Sequence, residues 1–207
     1  MSPITAAPLV ALCSVGGHVQ SLPAIWHGVR WPRLWPFLGA GLLGVPIGTM
    51  LLEHMRVQPL KLGVGLLLIG YSSWMGLVRR PPIVTGGGRV ADSAVGFAGG
   101  VMGGMASLSG PAPTIWVQLR GWNKDEQRGV NQPFNMAVLA TALVSSAVAG
   151  FLDRTFLIWA AITLPTTLIG ARLGLSLYGR INDVQFRRIV LVLLGLSGAT
   201  LIASSLR

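Results

Sequence analysis

Ser107-Leu108-Ser109-Gly110-Pro111-Ala112-Pro113 interrupts an apolar run that extends over residues 94–119. Pro111 and Pro113 have no backbone N–H to donate, and Gly110 favours a turn, so a continuous helix through this stretch is not expected. The arm before the break carries Gly96, Gly100 and Gly104 at four-residue spacing, a smooth face suited to close contact with another helix. Two arms of about 10 to 15 residues each fall short of the roughly 20 that a crossing helix needs. The segment is therefore one kinked span or a hairpin that enters the bilayer and returns.

The rest of the chain says that a bilayer is the right solvent. The 207 residues are 52% hydrophobic and only 11% charged, with mean hydropathy +0.64, whereas soluble domains carry about 25% charged residues. So little charge cannot clothe a soluble surface of this size, and the apolar content is too high for a disordered chain. An all-α, polytopic integral membrane protein follows. Apolar spans are expected over 4–22, 34–52, 60–78, 133–152, 156–178 and 189–206, about six crossings besides the broken segment. The first is read as a membrane helix rather than a signal peptide, because no Lys or Arg precedes it. Trp31 and Trp35 are expected as interfacial anchors. The stretch 79–93, with Gly86-Gly87-Gly88, lacks the Gly-Lys-Ser/Thr ending of a phosphate loop and reads as a cytoplasmic linker.

Charge distribution decides between kink and hairpin. The chain has 16 Lys and Arg against 6 Asp and Glu, a formal net charge of +10. In a soluble domain that excess would point to nucleic acid, but here the cations lie between apolar runs, where they set orientation; no nucleic-acid partner is expected. If 94–119 crossed once, the cations would divide almost evenly. With a hairpin, one side collects Arg30, Arg33, Arg79, Arg80, Arg89, Arg120, Lys124, Arg128, Arg180, Arg187 and Arg188, and the other keeps Arg56, Lys61 and Arg154. That asymmetry favours the hairpin, with the cation-rich side cytoplasmic.

A weak internal repeat accompanies it. A shift of 122 places Gly28 on Gly150, Leu42 on Leu164 and Ile47-Gly48 on Ile169-Gly170; a shift of 125 places Leu66–Gly70 on Leu191–Gly195 and Ser72 on Ser197. The expected organisation is a first half, 1–78, the linker 79–93, and a second half, 94–207, containing the broken helix 94–119. Under the hairpin topology the halves are inverted, as in many secondary transporters. A mate for the broken segment would lie upstream of Met1, so the first half is expected to be incomplete by about 30 residues or more.

Gly96-Phe97-Ala98-Gly99-Gly100-Val101-Met102-Gly103-Gly104, Ser109-Gly110-Pro111-Ala112-Pro113, and Arg120-Gly121-Trp122-Asn123-Lys124 with Arg128 resemble the second-half signature of the TauE/SafE family. Gly28-Val29-Arg30-Trp31 with Gly41, Gly44 and Gly48 is similar to its first half. The family's first-half glycine-rich, proline-ended segment is absent. The resemblance implies a bacterial inner-membrane, multi-pass permease that exports sulfite, sulfonates or related small organic anions. The alternative is a non-transporting membrane subunit, or a truncated remnant, that needs a partner chain to complete its site.

For anion transport the expected contacts begin at the break. A helix that starts inside the membrane offers unpaired amides at the positive end of its dipole, here Ser107, Ser109, Gly110 and Ala112, with Thr114 adding a hydroxyl. Arg128, Gln132 and Asn135 are expected to form a polar stripe at the cytoplasmic mouth. Arg172, inside an apolar span, costs about 2.5–3.5 kcal/mol on insertion scales and contacts the ligand or snorkels to the interface. His18, His27 and His54 show no metal-ligand spacing and are expected at interfaces, and Glu53-His54 is expected as an exposed pair. Cys13, the one cysteine, excludes an intramolecular disulfide. All six carboxylates are expected at span ends or in loops, so neither a buried proton relay nor a catalytic constellation is assembled. The expectation is a non-enzymatic protein with no catalytic residue, metal or cofactor. Its partners are a small anion and the bilayer, with a second copy of the chain as the protein partner considered.

Overall fold

The computed structural model describes residues 3–52, 57–77, 83–178 and 180–205. Among them the chain forms eight α-helices and no strand: α1 (Pro3–Ile25), α2 (Trp31–Leu52), α3 (Val57–Leu77), α4 (Gly88–Ala106), α5 (Pro111–Leu119), α6 (Lys124–Val148), α7 (Arg154–Tyr178) and α8 (Asp183–Ser205), with a 3₁₀ turn at Trp26–Gly28. The expected break is present, and it separates α4 from α5. Ser107 ends α4 in the left-handed region (φ 55°) and donates its amide to the Gly103 carbonyl. Pro111 then opens α5 at a position that needs no amide hydrogen.

The chain turns back at this break. The Val84 amide donates to the Leu119 carbonyl at 2.8 Å, and Trp116 Nε1 donates to Asp92 Oδ1 at 2.7 Å. The Arg120 guanidinium spans the carbonyls of Val84, Thr85, Gly86 and Gly88. The end of α5 thus lies beside the start of α4, the geometry of a hairpin rather than a kink. The arms are less equal than the sequence predicts. Helix α4 has 19 residues and α5 has 9, because α4 begins at Gly88, inside the stretch assigned to the linker.

Helix α2 runs parallel to α4 along a seam of small residues. A β-carbon on Gly96 would strike the Phe37 backbone, one on Gly100 the Gly41 carbonyl, and one on Gly104 the Val45 carbonyl. The four-residue glycine spacing is therefore what lets the two backbones touch. Helix α6 packs parallel to α2 in the groove beside α4, where Phe37 and Phe134 meet edge to face at 6.4 Å and a β-carbon on Gly41 would strike both Phe134 and the Gly96 carbonyl. Leu34, Phe37 and Val45 of α2, Val117 of α5, and Val130, Phe134, Val138 and Ala142 of α6 form the main core. Helix α1 lies against α6 and, in parallel, against α7, with Gly16 at Leu164 and Gly17 at Ala171. Helices α3 and α8 form an antiparallel pair through Gly65 and Gly198.

These contacts bring together the ends that carry the cations. Arg33 pairs with Glu126 at 2.9 Å, Lys124 reaches Ile181 and Asp183, and Arg187 donates to the Met75 carbonyl at 3.2 Å. Arg30, Arg33, Arg89, Arg120, Lys124, Arg128, Arg180, Arg187 and Arg188 fall at one end of the bundle, and Lys61 and Arg154 at the other. Arg56, Arg79, Arg80 and the pair Glu53-His54 lie outside the described residues.

Several boundaries differ from expectation. Helix α6 starts at Lys124 instead of residue 133, because Asn123 caps it by accepting from the Glu126 amide and Asp125 and Glu126 favour the positive end of its dipole. Helix α8 starts at Asp183 instead of residue 189, where Asn182 and Gln185 exchange backbone-to-side-chain bonds in a capping box. On length and composition alone, α2, α7 and α8 are the described helices apolar enough to cross a membrane. The spans expected over α1 and α6 are diluted by Ser14, His18, Gln20 and Ser21, and by the polar start of α6. One carboxylate departs from the expectation of none buried: Asp92 is 6% exposed, and Arg120 lies 3.0 Å from it.

Candidate functional site

Arg128, Gln132 and Asn135 lie on α6 within about 60° of arc of one another. Antiparallel to them on α1, Ser14, His18 and Ser21 recur at the same helical spacing. Between these stripes, and closed by α7 and α8, is a cavity of about 560 Å³ at the cation-rich end. Arg128, Gln132, Ser14, His18 and Thr167 supply its polar lining, and no carboxylate is among the lining residues. Phe186, Ile189 and Leu193 of α8 close its apolar side. Ser21 and Thr167 contribute little as donors, because the Ser21 hydroxyl bonds back to the Gly17 and His18 carbonyls and the Thr167 hydroxyl to the Thr163 carbonyl.

Asn135 marks the upper end of the stripe. It sits about 17 Å along α6, near the middle of a 25-residue helix, and accepts from the Ser109 hydroxyl at 2.7 Å. Ser109 is 2% exposed, so the break is packed within protein rather than facing lipid. Gly110 lies against the Asn135 amide, and the Thr114 amide donates to the Gly110 carbonyl at 3.0 Å. Among the described residues, no protein group accepts from the amides of Ser109, Gly110 and Ala112. Two features of the break are thus present together: amides at the start of α5 that no described backbone carbonyl accepts from, and Asn135, which shares the α6 face of Gln132 and Arg128.

Other expected residues fall elsewhere. Ser107 Oγ donates to the Ala7 carbonyl of α1 at 2.9 Å and fastens the break to that helix. Arg172 is outside the cavity, in a separate recess with Gly16, Val19 and Leu168. Its Nε donates to the Gln20 side-chain oxygen at 2.7 Å, and the Gln20 amide nitrogen donates to the Leu168 carbonyl. His18, expected at an interface, instead faces the cavity from the body of α1. Ser14 and Thr167 were not singled out in the sequence. The signal for Ser14 and His18 was their helical spacing with Ser21 inside an apolar span. Thr167 had no such signal, since Thr163 and Thr166 flank it equally.

A hairpin broken at Ser109–Pro113, a glycine seam against α2 and an arginine on the next helix are the signature residues in three dimensions. The sulfite exporter TauE/SafE family matches residues 1–201. The chain belongs to this family. A probable sulfite/organosulfonate exporter TauE of Cupriavidus necator is 27% identical over 203 residues, 95% of this chain and 78% of that protein. No solved structure matches. A TauE/SafE exporter family is one of transporters, and the membrane-protein character read from composition accords with it.

Proposed function

We propose that this protein exports small oxyanions, of the sulfite or organosulfonate kind, across the bacterial inner membrane, using the cavity between α1, α6, α7 and α8 as its binding site. The observation that carries the reading is the lining: Arg128 beside the polar side chains of Gln132, Ser14 and His18, with no carboxylate to repel an anion. Cations clustered at one end raise the local anion concentration at its mouth. From there the polar stripe leads through Gln132 to Asn135, Ser109 and the unspent amides at the start of α5, at the depth where inverted-repeat transporters bind substrate. Export of an anion from a negative-inside cell is itself downhill by about 2.3 kcal/mol per charge per 100 mV, so voltage supplies drive without a buried carboxylate relay.

The test is sulfite efflux from proteoliposomes with an imposed potassium-diffusion potential. An inside-negative voltage in the direction of export is expected to accelerate the flux, and sulfonates are expected to compete. Flux that ignores voltage overturns the potential-driven reading.

Two inverted halves, 1–78 and 94–207, joined by the linker 79–93, belong to the same proposal. Its support is an exchange of helix neighbours. Pairing α1 with α6 and α2 with α7 turns the parallel contact of α1 with α7 into that of α6 with α2. The seam of α2 with α4 has no such counterpart. Gly48 meets Val101 and Met105, while Gly170, its partner in the repeat, has nothing within 4 Å. That open face favours the second reading, in which a further chain or segment completes the assembly. Sulfite efflux by the purified chain alone counts for the permease; efflux only after a partner is added counts for the subunit.

A further inference from the structure

A second recess, of about 280 Å³, lies at the same end of the bundle, where α3 and α8 meet α5 and α6. Two of its lining groups are left with buried donors. Gln118 is 6% exposed; its Oε1 accepts from the Tyr71 hydroxyl at 3.3 Å, but its Nε2 has no partner among the described residues. Arg187 spends Nη2 on the Met75 carbonyl, and its Nε is likewise buried and unpartnered. Leaving a buried donor unsatisfied is destabilising, and more so when it is charged. Both residues line this one small recess, and an acceptor seated between them would answer both donors.

The charges around it select the kind of acceptor. Lys124 and Arg187 line the recess, and Arg188 borders the next one. The single carboxylate, Asp183, accepts from the Lys124 amide at the start of α6. The position matters too. Helices α3 and α8 pack mainly on each other, and α5 and α6 are the elements that connect them to the remaining helices most clearly at this end.

We infer that this recess binds a small tetrahedral oxyanion, a free phosphate-like ion or the phosphate of an anionic lipid headgroup. It accepts from Gln118 Nε2 and Arg187 Nε and clasps the α3–α8 pair to the hairpin. The site is separate from the transport cavity, which lies on the Arg128 face of α6, whereas this recess lies on the Gln127 face.

The test is thermal unfolding of the purified full chain in phosphatidylcholine nanodiscs, with inorganic phosphate titrated against chloride at constant ionic strength. Phosphate is expected to raise Tm saturably, and to do so equally in an Arg128→Gln background that disables the transport cavity. Gln118→Glu keeps the acceptor for Tyr71 and puts its own carboxylate where the oxyanion sits, so the phosphate response is expected to vanish while the protein stays folded. Arg187→Lys keeps the charge but loses Nε, and is expected to weaken the response about tenfold. Adding phosphatidylglycerol distinguishes the sources. A lipid occupant raises the starting Tm and abolishes the phosphate response, whereas a free ion leaves that response intact. The proposal is overturned if neither phosphate nor phosphatidylglycerol moves Tm, if both variants respond like the parent, or if Arg128→Gln alone removes the response.

Discussion

Arg120, at the end of α5, lies 3.0 Å from Asp92 in the second turn of α4, with side chains 11% and 9% exposed. Together with Trp116, which donates to the same carboxylate and carries the guanidinium 5.1 Å above its ring, this pair holds the two arms of the hairpin together. Arg120→Gln strands Asp92 as a buried charge and is expected to cost about 3–5 kcal/mol. Asp92→Asn retains an acceptor for Trp116 and leaves Arg120 its four carbonyls, so it should cost less. The double variant should recover part of the Arg120→Gln loss. Melting of the detergent-solubilised protein ranks the three, and equal stability across them would remove the clasp from the fold's account.

The glycine seam makes a second, sharper contrast. Gly100→Ala pushes a methyl into the Gly41 carbonyl, a backbone neighbour that cannot rotate away, so α2 and α4 must separate; overpacking of this kind costs about 1–3 kcal/mol. Gly170→Ala meets nothing within 4 Å and gains about 0.8–1.0 kcal/mol of helix propensity. The first is expected to lower Tm and the second to hold or raise it.

The broken segment and the one-sided cations were legible because each rests on a local rule: proline without a donor, glycine at four-residue spacing, and Lys and Arg counted between spans. The starts of α6 and α8 were not. Residues 124–132 look like a polar loop, and only the cap at Asn123 and burial of Gly129 and Val130 against other helices make them helical. The cavity was half legible. Arg128 and Gln132 announced themselves as polar groups beside a span, but His18 needed the α1–α6 packing to bring it opposite them. The contact of Arg172 with Gln20 was not legible for a related reason, since Gln20 sits on a face of α1 that no spacing rule identifies.

On the proposed function, Arg128 and Arg172 are expected to differ in their effect on flux. Arg128→Gln removes the cavity's guanidinium, and loss of a hydrogen bond to a charged group at about 1.5–3 kcal/mol corresponds to a fall in sulfite flux of roughly ten- to a hundredfold. Arg172→Gln disturbs a pair outside the cavity and is expected to leave the flux within about twofold. Efflux measured on matched amounts of folded protein decides it. The reverse ranking would move the binding site to the recess beside Gln20.

The direction of the hairpin in a bilayer can be read with single cysteines, provided the positions tolerate them. Gly87 and Gly121 do not, since their φ values of 83° and 66° suit glycine. Thr85, Arg180 and Thr155 are exposed. Cys13→Ser clears the background and keeps a donor for the Thr163 hydroxyl, which the thiol meets at 3.4 Å. Because Arg120 reaches the Thr85 carbonyl and Lys124 the Ile181 carbonyl, Thr85→Cys and Arg180→Cys are expected to react with a membrane-impermeant maleimide from the same face of oriented vesicles. Thr155→Cys, at the start of α7, is expected to react from the opposite face. If Thr85→Cys and Arg180→Cys label from opposite faces, α4 and α5 cross the membrane together. The unspent amides of Ser109, Gly110 and Ala112 then no longer belong to a re-entrant turn.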